Sequence, residues 1–151
     1  MGFVYLKKNN KGNKVLEILK KKYPTAISWS FGDNPELADE LAMLVVEGKK
    51  TATCSSLRGF FSDSVIPVIG GFNIILNSKN EPVCVIRTRS LQLIRFNEVT
   101  EELAKREGEG DLSLAYWQEG HKAFFNREGY FSEDMELVFE EFELIEVCKR
   151  Y

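Results

Sequence analysis

The polar segment EGKKTATCSS, residues 47–56, holds the side chains best suited to chemistry. After its glycine come two lysines, two threonines, a cysteine and two serines. Attack on an amide carbon needs an activated oxygen, and a threonine hydroxyl becomes reactive only when a neighbouring base accepts its proton. A lysine can be that base if burial lowers its pKa. We therefore expect this segment to form one wall of a ligand or catalytic site.

Lys50 and Thr53 are the first pair that we consider for this chemistry. On a regular strand their side chains would face opposite sides, because successive residues alternate between the two faces. Four other polar positions would share one face: Lys49, Thr51, Thr53 and Ser55. A turn that continues from Gly48 through Lys50 would remove the conflict. We keep Lys50 as the first candidate lysine and Lys49 as the second.

A carboxylate for the same site is expected from the segment AKREGEGD, residues 104–111. Glu107 falls at the carboxyl end of a short predicted helix, where the helix dipole disfavours negative charge, so we expect its pKa to be raised. Together with Glu109 and Asp111 it could act as a general acid or base, or help to hold a metal ion. The alternative is a polar loop in which Asp111 caps the next helix, and for Asp111 we favour capping.

Several residues further along the chain are candidates for binding or for structure. Tyr116 and Trp117 are adjacent and face about 100° apart on a helix, so we expect Trp117 inward and Tyr116 stacked on a base. His121 lies on the same apolar stripe and is interpreted as a half-buried, hydrogen-bonded residue. Ser132 could line the pocket or shape a turn before the last strand. Cys54 is interpreted as a small core residue.

The composition is typical of one globular domain. A chain of 151 residues can bury about 70% of the surface that its unfolded form exposes. Hydrophobic residues make up 44% and charged residues 28%, and no apolar run approaches the roughly 20 residues needed to cross a bilayer. The amino terminus lacks an apolar segment followed by a cleavage site, so we expect a cytoplasmic protein without a membrane partner.

Cysteine and histidine are too few for a soft-metal site of ordinary spacing. Cys54, Cys84 and Cys148 are far apart, which argues against a disulfide framework. With His121 as the single histidine, a zinc site would need every soft ligand in the chain. We expect no metal site and no required cofactor, although carboxylates could hold Mn²⁺ or Mg²⁺.

Charge is unevenly distributed along the chain. The net charge is -3, yet residues 1–23 hold seven lysines against Glu17 alone. An acidic body does not suit binding that depends on many phosphate contacts, so any contact with nucleic acid must be local. The basic segment is typical of a short amphipathic helix, with Val15, Ile18 and Leu19 inward and the lysines solvated.

Helices and strands that could position these residues follow from hydrophobic periodicity. Asn34 and Gly48 suit the two ends of the strongest early helix, and Asn97 and Gly108 suit the ends of a shorter one. In chain order we expect helices over KVLEILKKKYP and NPELADELAMLVVEG, three strands over FNIIL, VCVIRTR and SLQLIRF, helices over EVTEELAKRE and LSLAYWQEGHKAFFNRE, and a strand over ELVFEEFELIEV. This order predicts an α+β domain around a small curved or closed sheet.

Four ordered motifs in this sequence resemble the ASCH domain family, in particular its larger bacterial-type members. The motifs are SFGDNPELADELAMLVVEGKKTATCSS, PVCVIRTRSLQLIRFNEV, EGEGDLSLAYWQEGHKAFF and FSEDMELVFEEFELIE. They run from about Ser28 to Val147. The resemblance implies a PUA-like fold, a small β-barrel flanked by helices. The chain 1–151 would then be a single ASCH domain with a lysine-rich helical extension at about 1–27.

The resemblance also implies a nucleoside or single-stranded RNA as partner. Some small ASCH proteins hydrolyse the amide of N4-acetylcytidine with a lysine, a threonine and a glutamate, and a larger member is a ribonuclease. Carried over by motif, the catalytic residues become Lys50, Thr53 and Glu107. Candidate substrate-binding residues share the same two segments and the loop before the last strand: Lys49, Thr51, Ser55, Glu109, Asp111, Tyr116 and Ser132. The alternative function is a binding module for RNA or nucleotides without catalysis.

Overall fold

The computed structural model describes residues 13–63 and 66–148, which form five strands and five α-helices. The strands are β1 (Ile27–Trp29), β2 (Ala52–Ser56), β3 (Phe72–Leu76), β4 (Pro82–Arg95) and β5 (Glu136–Val147). The α-helices are α1 (Asn13–Lys22), α2 (Pro35–Val46), α3 (Leu57–Ser62), α4 (Glu101–Glu107) and α5 (Leu114–Glu128). A single turn of 3-10 helix covers Phe96–Glu98.

The five strands form one curled sheet in the order β1-β3-β4-β5-β2. β1 runs parallel to β3, whereas every other neighbouring pair is antiparallel. The sheet curls into a half-barrel with β1 and β2 at its two edges, and helices flank it. The predicted α+β class and the small curved sheet flanked by helices are therefore confirmed. β1 and α3 are two short elements that the sequence analysis did not predict.

β4 replaces the two separate strands that the sequence predicts after FNIIL. It continues through 14 residues, and its pairing with β5 shifts between Val85 and Ile86 and again between Thr88 and Ser90. An extra residue on one strand of an antiparallel pair bends that strand and increases its twist. The shifts thus let β4 follow the curved sheet without a turn. The predicted strands VCVIRTR and SLQLIRF are therefore one continuous strand.

The core lies between the half-barrel and the helices α2 and α5. Leu41 and Val45 of α2, with Trp117 and Phe125 of α5, are buried in one apolar cluster with residues of the sheet. A second cluster covers another part of β3 and β4 and includes Leu16 and Leu19 of α1. None of the helices in the described ranges is long and apolar enough to span a bilayer.

The basic amino-terminal segment is helical where it is described. Val15 and Leu19 pack inward as predicted, but Ile18 is 64% exposed and Leu16 takes its place in the core. The hydrophobic stripe therefore lies about one position away from the predicted one. Residues 1–12 of this segment lie outside the described residues.

Helix ends follow local capping chemistry, with two corrections to the predicted residues. Asn34 Oδ1 accepts a hydrogen bond from Leu37 N at 2.9 Å, as predicted. Thr100, not Asn97, caps the start of α4. Ser113, not Asp111, caps α5, because Ser113 lies one helical turn before the backbone N–H of Tyr116 and its Oγ accepts that N–H at 3.1 Å.

We predict that Gly108→Ala destabilises the protein by at least about 2 kcal/mol. Gly108 ends α4 at φ 72°, and a Cβ there would overlap the carbonyl oxygen of Lys49. Gly48→Ala is the matched control, because Gly48 has φ 76° and a Cβ there meets nothing within 4 Å. Urea unfolding should show only the backbone cost of about 1 kcal/mol for Gly48→Ala. Equal losses in the two variants would contradict the close contact.

Candidate functional site

Lys50 is the lysine that enters the interior. The turn after α2 persists through it, since the backbone N–H groups of Lys49 and Lys50 donate to Leu44 O at 2.9 and 3.0 Å. The Lys50 side chain is fully buried, whereas that of Lys49 is 64% exposed and pairs with Glu47 at 3.1 Å. The persisting turn therefore directs Lys50, and not Lys49, into the interior.

Two carboxylates and an aromatic ring surround the Lys50 ammonium group. Its Nζ lies 3.6 Å from Glu107 Oε1 and 3.8 Å from Glu109 Oε2. It also donates to the backbone oxygen of Glu107 at 3.4 Å and lies 5.4 Å from the centre of the Phe31 ring. Its complete burial means that the charge depends on these partners for its stabilisation.

Glu107 lies at the centre of this arrangement and is itself fully buried. Its Oε1 accepts from the backbone N–H of Cys54 at 3.1 Å, and its Oε2 accepts from Trp117 Nε1–H. Burial alone would raise the pKa of Glu107, but the charges of His121 and Lys50 and the hydrogen bonds outweigh it, so its pKa lies well below the ordinary range. The upward shift expected from the helix dipole is therefore wrong.

His121 has the partner that the sequence did not reveal. It is buried, its ring stacks on Trp117 with centroids 4.2 Å apart, and its Nδ1 donates to Trp117 O at 2.8 Å. Its Nε2 lies 3.1 Å from Glu107 Oε2. Burial lowers the pKa of His121, but the negative charge of Glu107 raises it more, and the net shift is well above the ordinary value. His121 and Glu107 thus form a buried ion pair.

Cys54, Glu107 and His121 are the group in the described residues that could hold a metal ion, with ligand atoms within 4.8 Å of one another. A thiolate, a carboxylate and an imidazole are ligands that zinc accepts. However, the Lys50 ammonium group lies 3.6 Å from the same carboxylate, which opposes a divalent cation. The carboxylate also already accepts hydrogen bonds from Cys54 and Trp117. The residues fit an ionic cluster better than a metal centre.

A pocket of about 210 Å³ opens beside this cluster, between α2, the end of α4 and α5. Glu109, His121 and Trp117 lie on its wall, so the pocket reaches the buried ions. Tyr116, which is 49% exposed, and Arg127 complete its polar and aromatic lining. Glu109 is therefore the carboxylate that both contacts Lys50 and faces the pocket, while both oxygens of Glu107 are occupied by protein groups.

Gly110 is required for the position of Tyr116. It has φ 59°, and a Cβ at this position would lie 2.5 Å from the tyrosine ring. The ring therefore packs directly on the backbone of the loop that carries Glu109. The EGEGD segment thus supplies a pocket carboxylate, Glu109, and a glycine on which the ring of Tyr116 packs. A larger residue at position 110 would collide with that ring.

Thr53 lies on the other face of β2 from the Glu107 cluster. Neighbouring residues of a strand face opposite sides, and Cys54 is the one that contacts Glu107. Thr53 is 4% exposed, and its Oγ1 is buried without a hydrogen-bond partner. Its cross-strand partner is Glu140. The structure therefore brings Lys50 and Glu107 together and places Thr53 beside a different carboxylate.

The other predicted binding residues lie away from the pocket lining. Thr51 is exposed, and its Oγ1 donates to Arg106 O at 3.3 Å. Ser55 is half-buried and paired with Val138 across the sheet. Asp111 Oδ1 accepts from Ser113 N at 2.9 Å and so shapes the turn before α5. Ser132 is exposed and donates to Asp134 in the loop before β5.

Glu140 is the buried carboxylate that the sequence analysis missed. It is 5% exposed, and Thr88 Oγ1 donates to its Oε2 at 2.7 Å. Burial raises the pKa of Glu140 above its ordinary value. The sequence feature that could have revealed Glu140 is the segment VFEEF, which lies in a strand of alternating apolar and acidic residues. Side chains two residues apart on a strand share a face, so Glu140 lies on the face of Phe142 and Glu141 on the face of Phe139. At least one of the two carboxylates was therefore expected to face the interior.

Comparison with known proteins agrees with this architecture. The family model for the ASCH domain matches residues 27–146. The crystal structure of an ASCH domain from Lactobacillus crispatus JV V101 has a TM-score of 0.78 and 31% identity, and the match covers 94% of this chain and 98% of that one. A protein from Enterococcus faecalis V583 has a TM-score of 0.74 and 32% identity, covering 92% and 95%.

The chain therefore belongs to the ASCH domain family, and its half-barrel is PUA-like, as the resemblance implied. No curated protein matches the sequence significantly. Activity must accordingly be argued from the site, because a PUA-like fold alone does not specify a reaction.

We predict that Glu107→Gln lowers the free energy of unfolding by about 3 kcal/mol at pH 7, because it leaves Lys50 and His121 without their shared carboxylate. The pKa of Glu107 is lower in the folded protein than its ordinary value of 4.5. Ionised Glu107 therefore stabilises the folded state above about pH 4.5, and this stabilisation is lost as pH falls. The difference from wild type should therefore shrink below about pH 4.

Urea unfolding at pH 7 and at acidic pH checks this prediction, with Glu102→Gln as the control. Glu102 lies on the same helix, but its side chain is 78% exposed and its contact is a surface pair with Arg106. This control should change stability by less than about 0.5 kcal/mol at either pH. A Glu107→Gln variant as stable as Glu102→Gln would show that the buried cluster does not hold the fold together.

Proposed function

We propose that this ASCH chain is a hydrolase directed at nucleosides or single-stranded RNA, and that it cleaves an acylated nucleoside with an amide like that of N4-acetylcytidine. The observation that carries the proposal is a contact at 3.8 Å between the fully buried Nζ of Lys50 and Glu109, which lines the pocket. A buried cation and a pocket carboxylate side by side are the groups that amide hydrolysis uses to stabilise charge and to move protons.

Pocket size favours a nucleoside over a longer RNA chain. Sites for drug-sized ligands usually measure about 300–1,000 Å³, and this pocket measures about 210 Å³. A single base with a short acyl group suits that volume. Tyr116 at the pocket could stack on the base, a contact worth about 1–3 kcal/mol.

The three charged groups take distinct roles in this proposal. Lys50 Nζ lies between two carboxylates and stabilises negative charge on the acyl oxygen. Glu109 faces the pocket and is placed to hold the amide nitrogen or return a proton to it. Glu107, enclosed by protein donors, positions Lys50. In this proposal Glu109 contacts the substrate, a role that the sequence analysis assigned to Glu107.

The alternative is a module that binds RNA or nucleotides without catalysis. It is favoured by the position of Thr53, whose hydroxyl lies on the face of β2 opposite to the Glu107 cluster. A binder needs only the aromatic-lined pocket and its nearby cations. The two functions therefore differ in whether a bound acylated nucleoside is turned over.

We predict that the protein hydrolyses N4-acetylcytidine, and that Lys50→Met and Glu109→Gln each lower kcat at least about 100-fold. Turnover is followed by chromatography with and without Mn²⁺, since we expect no metal to be required, and a short single-stranded RNA is assayed in parallel. Glu119→Gln, exposed on α5, is the charge-matched control and should keep wild-type kcat.

Three results would decide between the functions. Loss of turnover in both site variants with a folded protein, checked by circular dichroism, supports the hydrolase. Wild-type kcat in Lys50→Met would contradict it. Binding of the nucleoside without turnover by the wild type would assign the chain to the binding alternative.

A further inference from the structure

The pocket extends along one face of α5 beyond the part that lies beside Lys50. Tyr116, Gly120, Ala123 and Arg127 line it, and they follow one another at intervals of four, three and four residues. This spacing places residues on one face of a helix. At 1.5 Å per residue, the face is roughly 16 Å long, or about three turns. The pocket is therefore elongated, with Tyr116 at one end and Arg127 at the other.

Gly120 lies in the middle of this face, although the fold does not require a glycine there. It is inside α5 without a positive φ, and a Cβ at this position would meet nothing within 4 Å. Glycine weakens a helix interior relative to alanine, because it loses more conformational freedom on folding. Its absent side chain leaves open space between the two ends of the pocket, where a ligand can lie against the helix.

Arg127 is held in one position at the far end of this face. Its Nε–H donates to Asp33 Oδ2 at 2.9 Å, and its Nη2–H donates to Asp33 Oδ1 at 3.4 Å. Its guanidinium carbon lies 5.7 Å from the centre of the buried Phe124 ring. These contacts restrict the side chain in the folded protein, so a ligand that binds to it pays little further ordering entropy.

The guanidinium group keeps donors for a ligand. The pair with Asp33 uses two of its five N–H groups, and Nη1 makes no hydrogen bond to the residues that the structure describes. The edge formed by Nη1 and Nη2 matches two oxygens of a phosphate. The side chain is 53% exposed, so an anion can reach that edge.

From this geometry we propose that Arg127 is a specificity-determining residue, and that the substrate is an acylated nucleoside carrying a phosphate, which Arg127 binds. The proposal rests on the nucleoside-directed function proposed above and names the class of nucleoside. The acylated base lies at Tyr116 and Glu109. The ribose then passes over Gly120 and directs the phosphate to Arg127.

Pocket volume and charge agree with this arrangement. A volume of about 210 Å³ suits the acylated base alone, so the ribose and phosphate extend toward the exposed end of the face. Asp33 balances the charge of Arg127, so the pair attracts a free anion only weakly. A phosphate that arrives on a bound base needs less attraction, because the base already holds it at this place. We therefore expect inorganic phosphate to bind poorly.

Isothermal titration calorimetry with cytidine and cytidine 5′-monophosphate tests the phosphate site without turnover. We expect wild type to bind the monophosphate at least about 10-fold more tightly, and Arg127→Gln to bind both ligands with the wild-type affinity for cytidine. Arg89→Gln is the matched control and should keep the preference. Arg89 is also an exposed arginine with one carboxylate partner, Glu143, at 3.3 Å.

The competing explanation is a surface ion pair that only ties α5 to the turn before α2. In that case wild type would bind cytidine and its monophosphate equally, or the preference would survive in Arg127→Gln. Either result would overturn the proposal. Circular dichroism and urea unfolding of Arg127→Gln show whether the variant is folded when its binding is measured.

Two phosphorylated ligands distinguish the sources of the phosphate. A larger gain from cytidine 5′-monophosphate supports the site with a free nucleotide as its ligand. A larger gain from a dinucleotide with a phosphodiester on the same cytidine supports it with an RNA end. No gain from either ligand would contradict a phosphate site at Arg127.

Substitution of Gly120 tests the path between the two ends. We expect Gly120→Leu to remove the preference for the monophosphate, because the leucine side chain fills the open space. Gly120→Ala should raise the urea midpoint, since alanine favours the helix. Ala115→Leu changes another small, exposed residue on a different face of α5 and should bind as wild type does. Wild-type binding by Gly120→Leu would contradict this path.

Kinetics separate this proposal from the hydrolase function itself. N4-acetylcytidine 5′-monophosphate should have a higher kcat/KM than N4-acetylcytidine, and Arg127→Gln should remove the difference through KM with little change in kcat. An active wild type without this difference would overturn the role of Arg127 and leave the hydrolase standing. Phosphate-dependent binding without turnover would overturn the hydrolase and support Arg127 as a nucleotide-binding residue.

Discussion

The buried carboxylate of Glu107 is the interaction on which the rest of the site depends. It ends α4 and, through Cys54, Trp117 and His121, ties that helix to β2 and α5. It also provides the nearest negative charge for Lys50. Removing one partner from a buried ionic group typically costs about 3–5 kcal/mol, because the other charges stay buried. The site lysine can therefore be enclosed only because Glu107 is enclosed with it.

This constraint divides the site into two sides around Lys50. On one side, Glu109 and Tyr116 face a pocket large enough for a base with a short acyl group. On the other side, β2 places Thr53 opposite Glu140 in the sheet, and Glu140 accepts a hydrogen bond from Thr88. The structure thus separates Thr53 from the carboxylate that lines the pocket.

Local sequence signals predicted the parts of the fold that depend on near neighbours. Asn34 as a helix cap and Gly108 as a helix end follow from backbone chemistry within a few residues, and both were predicted. The inward direction of Trp117 followed from helical periodicity in the same way. Periodicity alone left open whether the sheet is curved or closed. Family motifs indicated a PUA-like small β-barrel flanked by helices, and the structure forms a PUA-like half-barrel.

Properties that depend on distant contacts were not predictable in the same way. The helix dipole at Glu107 is a local effect and was correctly located, yet Lys50, His121 and Trp117 reverse its effect on the pKa. The continuous β4 depends on register shifts against β5. Glu140 was overlooked because its neighbours are supplied by other strands. Each error concerns a charge or a bend whose cause lies tens of residues away in the chain.

A crystal structure of the Glu109→Gln variant with N4-acetylcytidine tests the central claim most directly. The account predicts the base in the pocket against Tyr116, with the acyl oxygen within hydrogen-bond distance of Lys50 Nζ. A nucleoside bound elsewhere on the surface, or bound in the pocket with its acyl group directed away from Lys50, would contradict it.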